Sequence, residues 1–358
     1  MYKQVLRPML FRMDPEHVHD MITRTGSLLG HVPGARDMAG HFLRYENPML
    51  EQEVLGIKLA NPIGLAAGFD KDAVLTDILY YIGFGFEEIG SVTGDPCEGN
   101  PKPRLFRLPK DKSLVVNYGL KSEGSEKIYD KLKNKKFKFP VGVSIAKINK
   151  DGINTKDGIA DYVKAFKKLH CIGSYTTINI SCPNTSDGRS FCHPDNLQKL
   201  LKEINKFKIK NPIFLKIKPD LTSTELGKTL AIINKFNFVS GLIVSNLSKN
   251  RENLKTPKKE LSKVEGGISG LPTREKSNQL IKQIYKKTKG KYIIIGCGGV
   301  FTAEDAYEKI KLGSSLVQLI TGMVYEGPAV VKNINKGLVE LLKKDGFKNI
   351  SEAVGSGI

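Results

Sequence analysis

Ile63-Gly-Leu-Ala-Ala-Gly-Phe-Asp-Lys71 begins as an apolar run and dissolves into small residues and then a cation. That is how a buried parallel strand passes into a loop at its C-terminal end. An open, doubly wound sheet would carry Gly-x-Gly-x-x-Gly after this first strand, and the segment lacks it. Seven more apolar runs follow, at residues 86–92, 141–146, 175–181, 213–218, 241–246, 292–298 and 316–321. Helical patterns separate most of them, for example at 161–169, 197–207 and 224–236. Eight strand–helix units within 358 residues predict an α/β chain folded as a (β/α)8 TIM barrel. The connections after the second and sixth runs are inflated, which puts the extra chain on loops at the functional face of such a barrel.

In a barrel the C-terminal ends of all eight runs meet at one mouth. Here they bring Ala66, Ala67, Gly68 and Lys71; Gly90-Ser-Val-Thr93; Ser144 and Lys147; Asn179 and Cys182; Lys216; Ser245-Asn246; Gly296-Cys-Gly-Gly299; and Ile320-Thr-Gly322. Glycines at the seventh and eighth ends leave backbone amides free to cradle a phosphate, although glycine there also serves plain helix–strand packing. Lys71 and Lys216 stand where a hydrophobic residue would otherwise pack, and a buried ammonium needs an anionic partner. In Thr177-Ile-Asn-Ile-Ser-Cys-Pro-Asn-Thr185 a single thiol sits between the carboxamides of Asn179 and Asn184. Such a group can act as a base beside a planar, polar ligand, whereas a free cysteine on its own is usually an inert small hydrophobe.

The formal charge of +19 raises nucleic acid, anionic lipid or an anionic small molecule as partners. The lysines concentrate in runs such as Lys131-Leu-Lys-Asn-Lys-Lys-Phe-Lys138, the pattern of solvated helix faces, and the chain has no Trp for base stacking. Nucleic acid is therefore not expected. Five cysteines show no paired ligand spacing and leave one over, which predicts no metal and a reduced, cytoplasmic compartment. Residues 1–13 mix Lys3, Arg7 and Arg12 with Val5, Leu6, Leu10 and Phe11, too short and too charged for a signal peptide or a spanning helix. Asp14-Pro15 reads as an N-cap followed by proline at the first helical position, opening a helix with Val18, Met21, Ile22, Leu28 and Leu29. Two short amphipathic helices ahead of the barrel are either a packing arm or an interfacial anchor.

Asn-Ile-Ser-Cys-Pro-Asn-Thr at 179–185 resembles the active-site motif of the dihydroorotate dehydrogenases, flavoenzymes of pyrimidine synthesis. The segments 61–71, Pro101-Lys-Pro-Arg-Leu-Phe-Arg107, Lys216-Ile-Lys-Pro-Asp220, Gly266-Gly-Ile-Ser-Gly270 and Ile294-Ile-Gly-Cys-Gly-Gly299 resemble the same family, in order. Tyr2 and Leu10-Phe-Arg-Met-Asp-Pro-Glu16, followed by His19, resemble the start of its membrane-associated, quinone-using class. The resemblance implies oxidation of dihydroorotate with FMN as hydride acceptor and a quinone as final acceptor. FMN would then be held by Ala67, Gly68, Lys71, Ser91, Ser144, Asn179, Lys216, Ser245, Gly270, Gly299, Ile320 and Thr321. Dihydroorotate would meet Lys71, Asn117, Tyr118, Gly119, Leu120, Asn179, Asn184, Asn246 and Leu247.

Some positions depart from the family's commoner wording. Ser91 and Ser245 stand for Thr, Ser144 for Asn, and Leu247 for a Thr; the 117–120 loop is one residue shorter. Cys182 stands where the quinone class carries Ser and the soluble class carries Cys. It is the expected base for the C5 proton. The resemblance implies a monomer, peripheral on the cytoplasmic side of the cell membrane. Residues 1–45 would form the membrane and quinone arm, 46–345 the FMN barrel and 346–358 a tail. Cys182 keeps open a soluble-class enzyme using fumarate or NAD. An RNA-modifying flavin barrel of the dihydrouridine synthase kind would need a helical domain after the barrel, and only about thirty residues follow Gly327, too few for a domain.

Overall fold

A computed structural model describes residues 2–181 and 191–358. Eight parallel strands close into a barrel in sequence order: β1 (Ile63–Leu65), β2 (Phe86–Val92), β3 (Val141–Ile145), β4 (Tyr175–Asn179), β5 (Ile213–Ile217), β6 (Val239–Val244), β7 (Ile293–Cys297) and β8 (Leu316–Leu319). All eight expected runs are strands. Several end earlier than their apolar stretch because the chain leaves the ladder to form the mouth. After β1, Gly68 turns at a φ of +111°, so Lys71 rides on a loop and does not end a strand as expected.

The strands are buried on both faces, which is why they read as continuous apolar runs. Inside, Phe86, Tyr175, Phe214, Ile243, Ile295 and Leu316 fill one end of the barrel. Glycines make room for the rings: a Cβ on Gly64 would lie 2.4 Å from the Phe86 ring, and one on Gly142 2.1 Å from the Tyr175 ring. A hairpin of Gln52–Val54 and Ile57–Leu59 adds Val54 and Leu59 to the same cluster.

The two inflated connections meet. Leu105–Leu108 and Ser113–Val116, from the loop after β2, form an antiparallel ribbon, and Gly267–Ile268 from the loop after β6 pairs with its second strand. This small sheet joins the two longest loops beside the mouth. After the last helix, Val330–Asp345, the chain packs again, with Ile350 and Ala353 fully buried.

The N-terminal arm has three α-helices, α1 (Arg7–Phe11), α2 (Pro15–His31) and α3 (Pro33–Leu43), where two were expected. The Asp14 side chain accepts from the His17 amide at 2.8 Å, the cap read from the sequence. Val32 is extended, as a residue before proline prefers, and this splits α2 from α3. The arm lies along the barrel. Tyr2 donates to Val324 O at 2.7 Å, Arg7 to Tyr325 O at 3.0 Å, and Phe11 meets the Tyr325 ring edge-on at 5.3 Å. Its far side leaves Met9, Leu28, Met38 and Phe42 more than half exposed. No helix among the described residues is long and apolar enough to cross a membrane.

Candidate active site

A cavity of about 370 Å³ runs from the arm to the barrel mouth. Leu10, Phe11, Val18 and Ile22 line it at the arm, and Lys71, Asn179, Lys216 and Asn246 at the mouth. The arm half comes from one short stretch of chain, but the mouth half is not local in sequence. Strand register brings Asn179 of β4 beside Lys216 of β5, while the loop after β1 carries Lys71 in from the other side.

At the mouth the polar groups hold one another. Asn179 donates to Ser91 Oγ at 3.0 Å, Ser91 Oγ lies 2.8 Å from Ser144 Oγ, and Asn246 donates to Asn179 Oδ1 at 3.0 Å. Tyr162 clamps the Asn179 carbonyl from behind at 2.7 Å. The carboxamides are thus fixed before any ligand arrives, which is the preorganisation a polar site needs.

Lys71 differs. Its buried Nζ has no hydrogen-bond partner among the described residues and sits 3.8 Å from the centre of the Tyr118 ring. Burial, only partly offset by Asp72, pulls this ammonium down to about 8. An orphaned buried cation in a cavity wall is a demand for an anion. The Tyr118 hydroxyl is likewise buried and unpaired, and burial followed by the charge of Glu16 keeps it firmly protonated.

Lys216 is not orphaned. It lies 3.7 Å from Glu88 inside the barrel, so its anionic partner is already in the protein and need not be a ligand, contrary to the expectation. Of the other expected cofactor positions, Ala67, Gly68, Ser91, Ile320 and Thr321 line the cavity. Ser144 and Ser245 are buried next to it. Gly270 packs on Thr321, where a Cβ would come within 2.8 Å of the Thr321 methyl, and Thr321 Oγ1 lies 2.8 Å from Ser269 Oγ. Gly298 and Gly299 turn at φ of +117° and +71°, and a Cβ on Gly322 would strike Val300 O at 2.1 Å. This is a backbone cradle with no room for side chains, and it fits a phosphate.

Of the expected substrate positions, Tyr118, Gly119, Leu120, Asn246 and Leu247 also line the cavity. Asn117 turns aside: its Oδ1 accepts from Asn100 Nδ2 at 2.9 Å. Cys182 and Asn184 lie outside the described residues.

Three contributors escaped the sequence reading as site residues. His19 on α2 places Nε2 2.8 Å from Phe69 O, and burial, then the charge of Lys71, lowers it to about 4, so it is a neutral imidazole at neutral pH. Glu16 receives a forked pair of bonds from Arg104, with Nη2 at 2.9 Å, and fastens α2 to the ribbon after β2. Glu88 sits beneath Lys216. His19 and Arg104 belong to segments quoted above, but nothing local marks which side chains face the cavity.

Barrel and mouth together define an enzyme of the TIM-barrel kind, its site built for an anionic ligand and opening toward an apolar arm. The dihydroorotate dehydrogenase family model matches residues 49–342. Proteins named dihydroorotate dehydrogenase (quinone) from Trichodesmium erythraeum and Christiangramia forsetii are 38% and 40% identical to this chain. The first match covers 99% of this chain and 98% of that protein, the second 95% and 99%. Among solved structures, ligand-free DHODH from Eimeria tenella superposes with a TM-score of 0.83 at 30% identity, covering 96% of this chain and 99% of that one. The chain belongs to the dihydroorotate dehydrogenase family.

Proposed function

We propose that this protein oxidises (S)-dihydroorotate to orotate in pyrimidine (UMP) biosynthesis, with FMN bound at the barrel mouth and a membrane quinone as final acceptor. The observation that carries the reading is a continuous cavity linking the arm to Lys71, Asn179 and Lys216. It gives an apolar molecule entering between the helices access to the same site that holds an anion. The quinone-class names of the full-length relatives favour this over a fumarate- or NAD-using enzyme.

Ala67, Gly68, Ser91, Ser144, Ser245 and Lys216 would hold the flavin ring, and Gly270, Gly299, Ile320 and Thr321 its phosphate side. Bound flavin supplies a two-electron acceptor for the hydrogen leaving C6 of the substrate. Lys71 offers the substrate carboxylate its unpaired ammonium, which also satisfies the buried cation. Asn179, Asn246 and Asn184 orient the ring through their carboxamides. Cys182 Sγ takes the C5 proton; a thiol near its ordinary pKa of about 8.5 is a few per cent thiolate at neutral pH, far more than a serine could offer as alkoxide. Neutral His19, on α2 in the cavity wall, presents an uncharged ring to the passage.

The arm of residues 1–45 would rest on the cytoplasmic face of the cell membrane as a monomer's peripheral anchor. Exposed Met9, Leu28 and Phe42, with exposed Arg12 nearby in the chain, support that placement. The test is the purified protein itself: it should be yellow, bleach with dihydroorotate, and recover colour with a quinone but not with fumarate. Recovery with fumarate alone would defeat the reading.

A further inference from the structure

Glu88 lies on β2 with its side chain inside the barrel, fully buried. Its Oε2 accepts from Thr177 Oγ1 at 3.0 Å, Gln318 Nε2 at 3.1 Å and Tyr175 OH at 3.3 Å. Its Oε1 takes no hydrogen bond among the described residues and faces the Lys216 ammonium at 3.7 Å. One carboxylate is thus gripped by β4 and β8 and presented to a cation on β5. Lys216 in turn lines the cavity beside Asn179.

Two residues before Glu88 on the same strand, the barrel interior is the apolar layer around Phe86. Continuing that layer upward with hydrophobic side chains would be at least as stable as a buried ion pair, because desolvating two charges roughly cancels their attraction. Stability is therefore a poor reason for five polar side chains at this level. Two other titratable groups are coupled to the pair, the Tyr175 phenol and the Cys297 thiol. Burial raises both, so each is neutral at neutral pH. Glu88 is the carboxyl group that Lys216 meets as an ion pair among the described residues.

We propose that Glu88 is a positioning residue of the site, its carboxylate compensating the charge of Lys216 and setting that ammonium at the cavity wall. Its purpose rests on the flavin reading above: a cation held at a fixed point tunes how readily a bound flavin accepts electrons. The pair itself does not depend on that reading.

A double-mutant cycle tests both parts. Glu88→Gln, Lys216→Met and the two together are compared with wild type by thermal unfolding of the flavin-free protein, from about pH 6 to about pH 9. Glu88→Gln leaves a buried cation uncompensated, so the folded state gives up a proton more readily than the unfolded chain. Its stability deficit should be largest at low pH and shrink as pH rises, and adding Lys216→Met should abolish that pH dependence. A deficit of equal size with and without Lys216 would overturn the pairing and leave Glu88 as mere packing. In the FMN-loaded protein, Glu88→Gln should shift the flavin midpoint potential upward near pH 6, and the shift should vanish in the Lys216→Met background. Coupling in unfolding without a shift in potential would overturn the tuning role. A protein that takes up no flavin would defeat the cofactor reading while leaving the unfolding test of the pair intact.

Discussion

The proposed chemistry turns on Lys71 and Cys182, and each makes a different experimental claim. Burial brings Lys71 to about 8, below the ordinary lysine value. The unfolded chain therefore binds more protons than the folded one between about pH 8 and pH 10, and the stability of the ligand-free protein should climb across that window. Lys71→Met should flatten the climb and, near neutral pH, stabilise the ligand-free protein by about 1–3 kcal/mol, because an unsatisfied buried ammonium is gone. The same substitution should cost most of the affinity for orotate. Denaturant titration across pH checks the first claim, and a variant as pH-dependent as wild type would refute it. For Cys182, substitution by alanine should abolish nearly all flavin reduction by dihydroorotate while FMN and orotate binding persist, since the thiol is asked only to move a proton. In wild type the rate of that reduction should rise with pH and level off above the thiol pKa. Stopped-flow bleaching of the flavin reads both, and a Cys182→Ala rate near wild type would send the search for the base elsewhere.

At the scale of elements, the arm is fastened to the barrel by polar bonds as much as by apolar contact. Glu16 on α2 and Arg104 on the loop after β2 are both nearly buried, at 5% and 6% side-chain exposure. Glu16→Ala leaves the guanidinium without its carboxylate, though still bonded to the carbonyls of Glu98 and Asn100. The docked arm should lose about 3–5 kcal/mol, the usual cost of stripping one partner from a buried pair. Hydrogen exchange should then rise across α2 while the amides of β4 and β5 stay protected. Uniform loss of protection through the barrel would mean that the arm is part of the core and not a docked element. The arm's helices also show where sequence patterns stop being sufficient. Asp14-Pro15 marked the start of α2, because an N-cap and a first-turn proline are local chemistry. The break into α3 at Val32-Pro33 is equally local, an extended residue ahead of a proline, but it lies within a longer amphipathic stretch.

At the scale of the molecule, one cavity joins two chemistries, an apolar lining at the arm helices and a polar mouth whose Lys71 ammonium has no hydrogen-bond partner among the described residues. Deleting residues 1–32 should leave a yellow barrel that still bleaches with dihydroorotate in a single turnover, because Lys71, Asn179, Lys216 and Asn246 all come later. Quinone turnover should collapse and binding to liposomes should fall. Leu75 and Ile78, against which Gly26 and Gly30 of α2 pack, would be uncovered, so the shortened protein should need detergent to stay dispersed. Full quinone turnover without the arm would remove its role in access.

The count and order of the barrel strands were legible in the chain alone, because strands buried on both faces must be apolar along their whole length. So were most residues now found around the mouth, since lysine, asparagine and glycine at the end of an apolar run have no reason to be there in a core. Other features needed the folded molecule. Glu88 reads as one of two adjacent acids in an apolar strand, yet it faces Lys216, while Glu87 on the other face of β2 is pushed well above the usual carboxylate range by burial, with Asp70 adding to it. The two inflated loops gave no sign that they would pair into one sheet, nor did His19 and Glu16 that they would reach Phe69 and Arg104. Each of these is a contact between segments far apart in the chain. Local pattern records how a residue meets its neighbours in sequence; only closure of the barrel decides which distant side chain it meets.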